Sequence, residues 1–294
     1  MSIMSYPERG NWGDAKWRGN CSGHVYKNLF EQLQPKVFID PMVGSGTSVE
    51  VARELDIEAF GLDLHSGFNA VRDSILQTTG KEADLVVSHP PYGGMIVYSG
   101  KVWGQAHPDD LSRCVDDEEF HAKMQLVLLN QREATKAGGF YGTIIGDWRR
   151  DGIYTSYQAE MIARMPRDEL AAVLIKAQHN TMSSTKSYGR MRLPFILHEY
   201  ILLWQKRGSS LLVLLHNLAR DQYRRLTGTW KNIVKLALVQ LGGQSDLAAL
   251  YRLIGEQAAD RLKTNPHWKD KVRQTLNSNP DLFRPCERGV WSIA

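Results

Sequence analysis

Cysteine is scarce: three in 294 residues, at positions 21, 114 and 286. An odd and scattered set suits neither a disulfide framework nor a metal knuckle, so no metal is expected. Long hydrophobic runs are missing too. The longest clear candidate, "SSLLVLLHNLA", is shorter than the roughly 18 to 20 residues needed to span a bilayer, and it carries His216 and Asn217. The opening "MSIMSYPERGNWGD" lacks the basic and apolar regions of a signal peptide, so a cytoplasmic protein with no membrane partner is expected. There is no internal repeat and no low-complexity tract. A large charge excess is absent as well, the formal net charge being +4, but its distribution is uneven. From Arg207 onward there are 14 Lys+Arg against 7 Asp+Glu, and a basic C-terminal third suits a polyanionic partner.

What is present is an ordinary globular composition, 43% hydrophobic, in a chain long enough for one large domain or a large and a small one. Residues 24–34 read as a helix and "KVFID", 36–40, as a buried strand running into "PMVGSGTS". The helical "SVEVARELD" and the strand "AFGLD" follow, which is the strand, turn, helix, strand order of a parallel, doubly wound sheet. "ADLVVS" and "GFYGTIIGD", 139–147, supply later strands, with a helix between them. Residues 148–192 yield no clear pattern, and "MSSTKSYGRMR" reads as loop, before "PFILHEYILLWQK", 194–206, a strand or hairpin. Beyond a helical stretch to about residue 227 come three more helical patterns and two strand-like pieces around "CERGVW".

Two features carry chemistry. "FIDPMVGSGTS" is a glycine turn after a buried strand, where the backbone lies open to a ligand and the next helix offers free N–H groups. It has no P-loop lysine, and the dinucleotide pattern GxGxxG fails. Asp63, ending the next strand, can accept both hydroxyls of a ribose. The second feature is "LVVSHPPYGG", 85–94: three β-formers stopped by two prolines, which places His89, Pro90, Pro91 and Tyr92 at a strand's end.

In this order, "DPMVGSGTS", "GLDLH" and "ADLVVSHPPY" resemble the amino-group DNA methyltransferases, which move a methyl group from S-adenosylmethionine to adenine N6 or cytosine N4. The likeness covers about residues 12–206. It implies that Asp40, Pro41, Gly44, Gly46 and Thr47 border the cofactor, that Asp63 holds its ribose and that Asp73 lies near its adenine. "WRGNCSG", with Asn20, Cys21 and Ser22, matches the segment at the methionine end more loosely. His89, Pro90, Pro91 and Tyr92 become the catalytic set. The amine's lone pair is delocalised into the base; acceptors for its hydrogens, the Pro90 carbonyl and the residue 89 side chain, free that pair, and Tyr92 offers a stacking face to an extruded base.

Position 89 departs from the pattern, since such enzymes usually carry Asp, Asn or Ser there. A neutral imidazole still has one lone-pair nitrogen, so activity should fall as pH drops through a histidine pKa of about 6.5. The departure removes the usual clue to the base, leaving adenine slightly ahead of cytosine. His198 and Glu199 read as ordinary strand residues; for Asp147 and Trp148 a site role and plain packing are equally supported.

The expected fold class is α/β, a Rossmann-like doubly wound sheet with a small C-terminal winged-helix domain. The catalytic domain spans 1–206, with a target-recognition segment at about 148–192 offering Lys186, Arg190 and Arg192; a connecting helix spans 207–227. Residues 228–294 resemble winged-helix modules, with Lys269, Lys271 and Arg273 on the helix that would enter a groove. DNA is the expected partner; a cognate restriction nuclease and the oligomeric state stay open. The rival readings are an RNA methyltransferase of the guanine-amine type and a DNA-binding regulator whose catalytic site has decayed.

Overall fold

The computed structural model describes residues 2–150, 152–179, 193–208, 230–257, 266–280, 282–287 and 289–294, in two units, 1–213 and 214–294. In the first, β1 (Ile3–Ser5), α1 (Gly23–Leu33), β2 (Val37–Asp40), α2 (Thr47–Glu54) and β3 (Glu58–Gly61) lead into α3 (Ile75–Thr79) and β4 (Ala83–Ser88). Then come α4 (Asp117–Glu133), β5 (Thr135–Ile145), the hairpin β6 (Trp148–Arg150) and β7 (Ile153–Thr155), α5 (Tyr157–Arg164), β8 (Leu170–Ala177) and β9 (His198–Gln205). Seven strands form one sheet in the order β1-β8-β9-β5-β4-β2-β3, parallel except for β9. This is a Rossmann-like, doubly wound α/β unit.

Burial explains the arrangement. All four residues of β2 are buried, as are five of six in β4, because helices cover both faces of a parallel sheet. Strand alternation sends Val37, Ile39, Val86, Leu202 and Trp204 into one core with Phe120, Met124 and Leu128 of α4. It sends Phe38, Leu85, Val87, Ile201 and Leu203 into the other, with Val25, Leu29 and Phe30 of α1. α4 starts where the Asp116 carboxylate accepts from Glu119 N, and three acidic residues in its first turn face the positive end of the helix dipole.

The stretch 148–192, without clear pattern in the sequence, holds β6, β7, α5 and, at 170–177, strand β8 of the main sheet; β1, also unread, is three residues paired to β8 from far along the chain; and within 194–206, read as a strand or hairpin, His198–Gln205 form one strand. The connecting helix expected at 207–227 lies, beyond its first two residues, outside the described residues. Among the described residues no helix is long and apolar enough to cross a membrane.

The second unit has α6 (Trp230–Gln240), β10 (Gln244–Asp246), α7 (Leu247–Gln257), α8 (Trp268–Asn277), β11 (Phe283–Glu287) and β12 (Val290–Ile293). The strands form an antiparallel sheet in the order β10-β12-β11. Val234, Leu238, Leu250, Val272, Leu276 and Phe283 make its core, against which Trp230, Trp268 and Trp291 pack.

A buried ion pair ties α4 to the first unit's sheet. Glu169 accepts from Arg132 Nε at 2.8 Å, Arg132 Nη2 at 2.6 Å, Tyr141 Oη at 2.6 Å and Arg207 N at 2.7 Å. Breaking such a pair leaves an uncompensated buried charge, so Glu169→Ala should cost about 3–5 kcal/mol. Urea unfolding checks this, and an unchanged midpoint contradicts it.

Candidate active site

β2, β3 and β4 run parallel, with Phe38 and Ile39 of β2 in register with Leu85 and Val86 of β4 on one side and with Ala59 and Phe60 of β3 on the other. Their C-terminal ends open onto a cleft of about 880 Å³ including its mouth. Asp40, Pro41, Gly44, Thr47 and Asp63 line it from one side, and His89 and Pro91 from the other.

The turn after β2 needs glycine at two positions for its backbone conformation, and at one of them for space. Gly44 has φ +50°, and a Cβ there would sit 3.0 Å from the Trp17 indole nitrogen; Gly46, φ +91°, caps α2. Gly44 N donates to Asp63 Oδ2 at 2.9 Å, fixing the turn to the end of the neighbouring strand. Asp63 Oδ1 accepts from His65 N at 3.0 Å and lies 2.7 Å from His65 Nδ1, a bond that raises the His65 pKa. Below the turn, Asp40 accepts from Ser48 Oγ at 2.6 Å and Met42 N at 2.9 Å, yet burial pushes its pKa up to about 7.

The segment before α1 is strapped over this turn. Trp12 Nε1 and Gly13 N donate to Glu54 and Glu50 of α2, both at 2.7 Å, and Thr47 Oγ1 donates to Asn20 Oδ1 at 2.8 Å. Asn20 and Cys21 line the cleft, and burial raises the Cys21 thiol to about 11. Ser22 does not line it; its hydroxyl donates to Glu8 O. Asp73 is likewise no wall of the cleft: its carboxylate accepts from Asn69 N, while Asn69 itself, with Asp109, borders the cleft there. Trp17, which opens the "WRGNCSG" segment, Tyr98 and Trp103 complete its rim, and nothing in the local sequence marks the last two.

At the end of β4 the structure departs from expectation. Tyr92 is half-buried and packs toward the core; a Cβ on Gly146 would lie 2.8 Å from its ring. The ring therefore does not line the cleft as a free stacking face. Its hydroxyl donates to Glu199 Oε1 and lies 2.7 Å from His89 Nε2. Glu199 also accepts from Lys176 Nζ and from Gln178 Nε2 at 2.6 Å. Burial opposes ionisation of Glu199, but Lys176, then His89, hold its pKa down at about 2. Burial drives His89 down to about 4, Glu199 pulling the other way, so its ring is neutral at physiological pH. Among the described residues no donor occupies the Pro90 carbonyl.

Glu199 is the site residue that sequence reading misses. The available signal is alternation: Glu199 shares a strand face with buried Ile201 and Leu203, so its carboxylate must point inward and find partners. Asp147 is turned away from the cleft and accepts from Tyr154 Oη at 2.7 Å and Ser156 Oγ at 3.3 Å; Trp148 packs beside the core. Lys186, Arg190 and Arg192 lie outside the described residues. In the second unit, Lys269, Lys271 and Arg273 are exposed on α8 opposite buried Val272, Thr275 and Leu276. Arg273 pairs with Asp270, and Lys269 lies over the Tyr251 and Trp268 rings.

No protein-family model and no curated protein matches the chain. Solved structures with a similar arrangement include TrmN from Thermus thermophilus, 15% identical over 65% of this chain and 50% of that one, with a TM-score of 0.41. TTHA0409, from the same organism, a proposed DNA modification methylase complexed with S-adenosyl-L-methionine, is 20% identical over 59% and 56%, TM-score 0.30. Human N-acetylserotonin methyltransferase in complex with SAM is 11% identical over 64% and 52%, TM-score 0.32. The matched part spans about half of each of these chains. Likenesses this distant leave reaction and substrate to the site's own geometry.

The elevated Asp40 pKa makes a stability prediction. A carboxyl that holds its proton more tightly folded than unfolded loses stabilising effect as pH rises from its ordinary value, 3.8, to about 7. Asp40→Asn, which keeps the shape and cannot ionise, should therefore gain stability relative to the parent between pH 5 and pH 8. Urea midpoints at the two pH values measure it, and a pH-independent difference contradicts it.

Proposed function

We propose that the chain is an S-adenosylmethionine-dependent methyltransferase acting on the exocyclic amine of adenine, N6, or cytosine, N4, in DNA. One observation carries the reading: the glycine turn with Asp63 and the neutral acceptor His89 share one cleft at the ends of adjacent parallel strands. The cofactor, when bound, supplies an electrophilic methyl group. The residues present fit it. Gly44 and Asp63 both line the cleft, and Asp63 Oδ2 accepts from Gly44 N, with a second lone pair left for a ribose hydroxyl.

On the target side, a neutral His89 and the Pro90 carbonyl supply two acceptors for the two hydrogens of an amine, drawing it toward tetrahedral geometry and freeing its lone pair. A cleft of this kind acts on an extruded base. Holding amine and methyl donor together replaces a bimolecular encounter by a positioned one. The retained acceptors speak against a decayed site.

The reading of DNA as substrate rests on the second unit. Among its described residues the order helix, strand, helix, helix, hairpin suits a winged helix, in which α8 would be the helix presented to a groove. The exposed Lys269, Lys271 and Arg273 suit phosphates there, and Lys186, Arg190 and Arg192 are proposed as further contacts in target recognition.

Asp63→Ala should weaken S-adenosylmethionine binding at least tenfold in calorimetry, about 1.4 kcal/mol, with the circular dichroism spectrum unchanged. Binding as tight as the parent's overturns the cofactor assignment. Since burial keeps His89 neutral down to about pH 4, single-turnover methylation should show no acid limb from residue 89 near 6.5. His89→Ala should slow it about 100-fold or more, while His89→Asn keeps part of the rate. Full activity in His89→Ala contradicts the assignment.

Changing Lys269, Lys271 and Arg273 together to Gln should weaken DNA binding and lower the salt slope by about 2–3. Titrations of mixed-sequence duplex at several salt concentrations measure it, and an unchanged slope points away from phosphate contacts on α8.

A further inference from the structure

Behind His89 stands a relay of hydrogen bonds that the methyl-transfer chemistry does not use directly. Lys176 of β8 and Glu199 of β9 are register partners across the sheet, so the relay is built on strands. Glu199 is 4% exposed and Lys176 9%. Both Glu199 oxygens are engaged: Oε2 takes Lys176 Nζ, and Oε1 takes Gln178 Nε2 and the Tyr92 hydroxyl.

An ionised carboxylate only accepts, so the single Tyr92 hydroxyl hydrogen goes to Glu199. The Tyr92 oxygen, 2.7 Å from His89 Nε2, must then accept from that nitrogen. The opposite tautomer would set two lone pairs against each other at that distance. A neutral imidazole carries one proton, so with it on Nε2 the lone pair is on Nδ1.

We propose that Glu199 is a positioning residue: acting through Tyr92 it fixes His89 as the tautomer protonated at Nε2, so that Nδ1 meets the target only as an acceptor. The site thereby selects a target atom that carries hydrogen, an amine rather than a carbonyl oxygen. This inference rests on the methyltransferase reading for its catalytic meaning, though not for the tautomer. The groups facing His89 are Tyr92 from its own loop, Glu199 from β9 and, through Glu199, Lys176 from β8. No cation lies against Nε2 to compete for Tyr92 among the contacts of the described residues.

The test uses the full chain labelled with ¹⁵N-histidine. Its nine histidines give nine imidazole signal sets, and the set missing from His89→Asn belongs to residue 89. At pH 7 without ligand, the expected pattern is a protonated Nε2 and a bare Nδ1. A protonated Nδ1 or an averaged pair overturns the proposal. Tyr92→Phe removes the link while keeping the ring. The expected result is a mixed tautomer and single-turnover methylation about tenfold slower, comparable to one lost hydrogen bond, with the Kd for S-adenosylmethionine unchanged.

A Tyr92→Phe protein with the parent's tautomer and rate overturns the role of Glu199. A parent that shows the Nε2–H signal but methylates neither DNA nor RNA refutes the reaction itself, and with it the role assigned to Glu199. A protonated Nδ1 in an active enzyme refutes that role alone.

Discussion

The pairing of β2 with β4 is the constraint on which the site depends. The chain leaves β2, passes through α2 to β3 on one side, and returns to pair β4 on the other, so the strand order reverses at β2. At such a reversal the connections diverge and a crevice opens beyond the strand ends. The glycine turn and the Ser88–Tyr92 segment leave the sheet at neighbouring positions because Ile39 and Val86 are partners in register. A one-residue slip would turn every buried side chain of β4 to the other face, so the two cores hold the crevice in place as firmly as they hold the fold.

Electrostatics then decides the chemical character of the crevice. A buried ion pair is weak support for stability, because desolvation offsets the attraction. Lys176–Glu199 has a different use: it keeps an ionised acceptor at a place from which Tyr92 can be oriented. Burial, the largest influence on His89, keeps the ring uncharged against the pull of Glu199. On the other side of the turn, Asp63 is held by Gly44 N and His65, which sets its carboxylate at the strand end instead of leaving it to solvent. The carboxylate beyond β3 and the imidazole beyond β4 thus face one cleft from either side of β2.

Much of this was legible in the sequence where the determinants are local. "KVFID" and "ADLVVS" read as strands because both faces are buried and the runs are continuously apolar. Asp40, Gly44, Asp63 and His89 could be placed because turn chemistry and strand ends are short-range features. β8 could not, since Val173 and Ile175 stay 39% exposed near the sheet's edge and small alanines dilute its pattern. Nor could the partners of Glu199, which come from a cross-strand register between residues 176 and 199 and from a loop more than a hundred residues away. Tyr92 and Asp73 show the opposite error: a motif fixes that a residue is near the site, while rotamer and packing decide which way it points.

The most direct test of the central claim identifies the product. The purified chain is incubated with methyl-labelled S-adenosylmethionine and, separately, unmethylated DNA and unmodified RNA, and the digested nucleosides are resolved by mass spectrometry. The account predicts label in DNA as N6-methyladenine or N4-methylcytosine, lost in His89→Ala. Label confined to RNA, label on a carbon or an oxygen, or no transfer to either nucleic acid would contradict it.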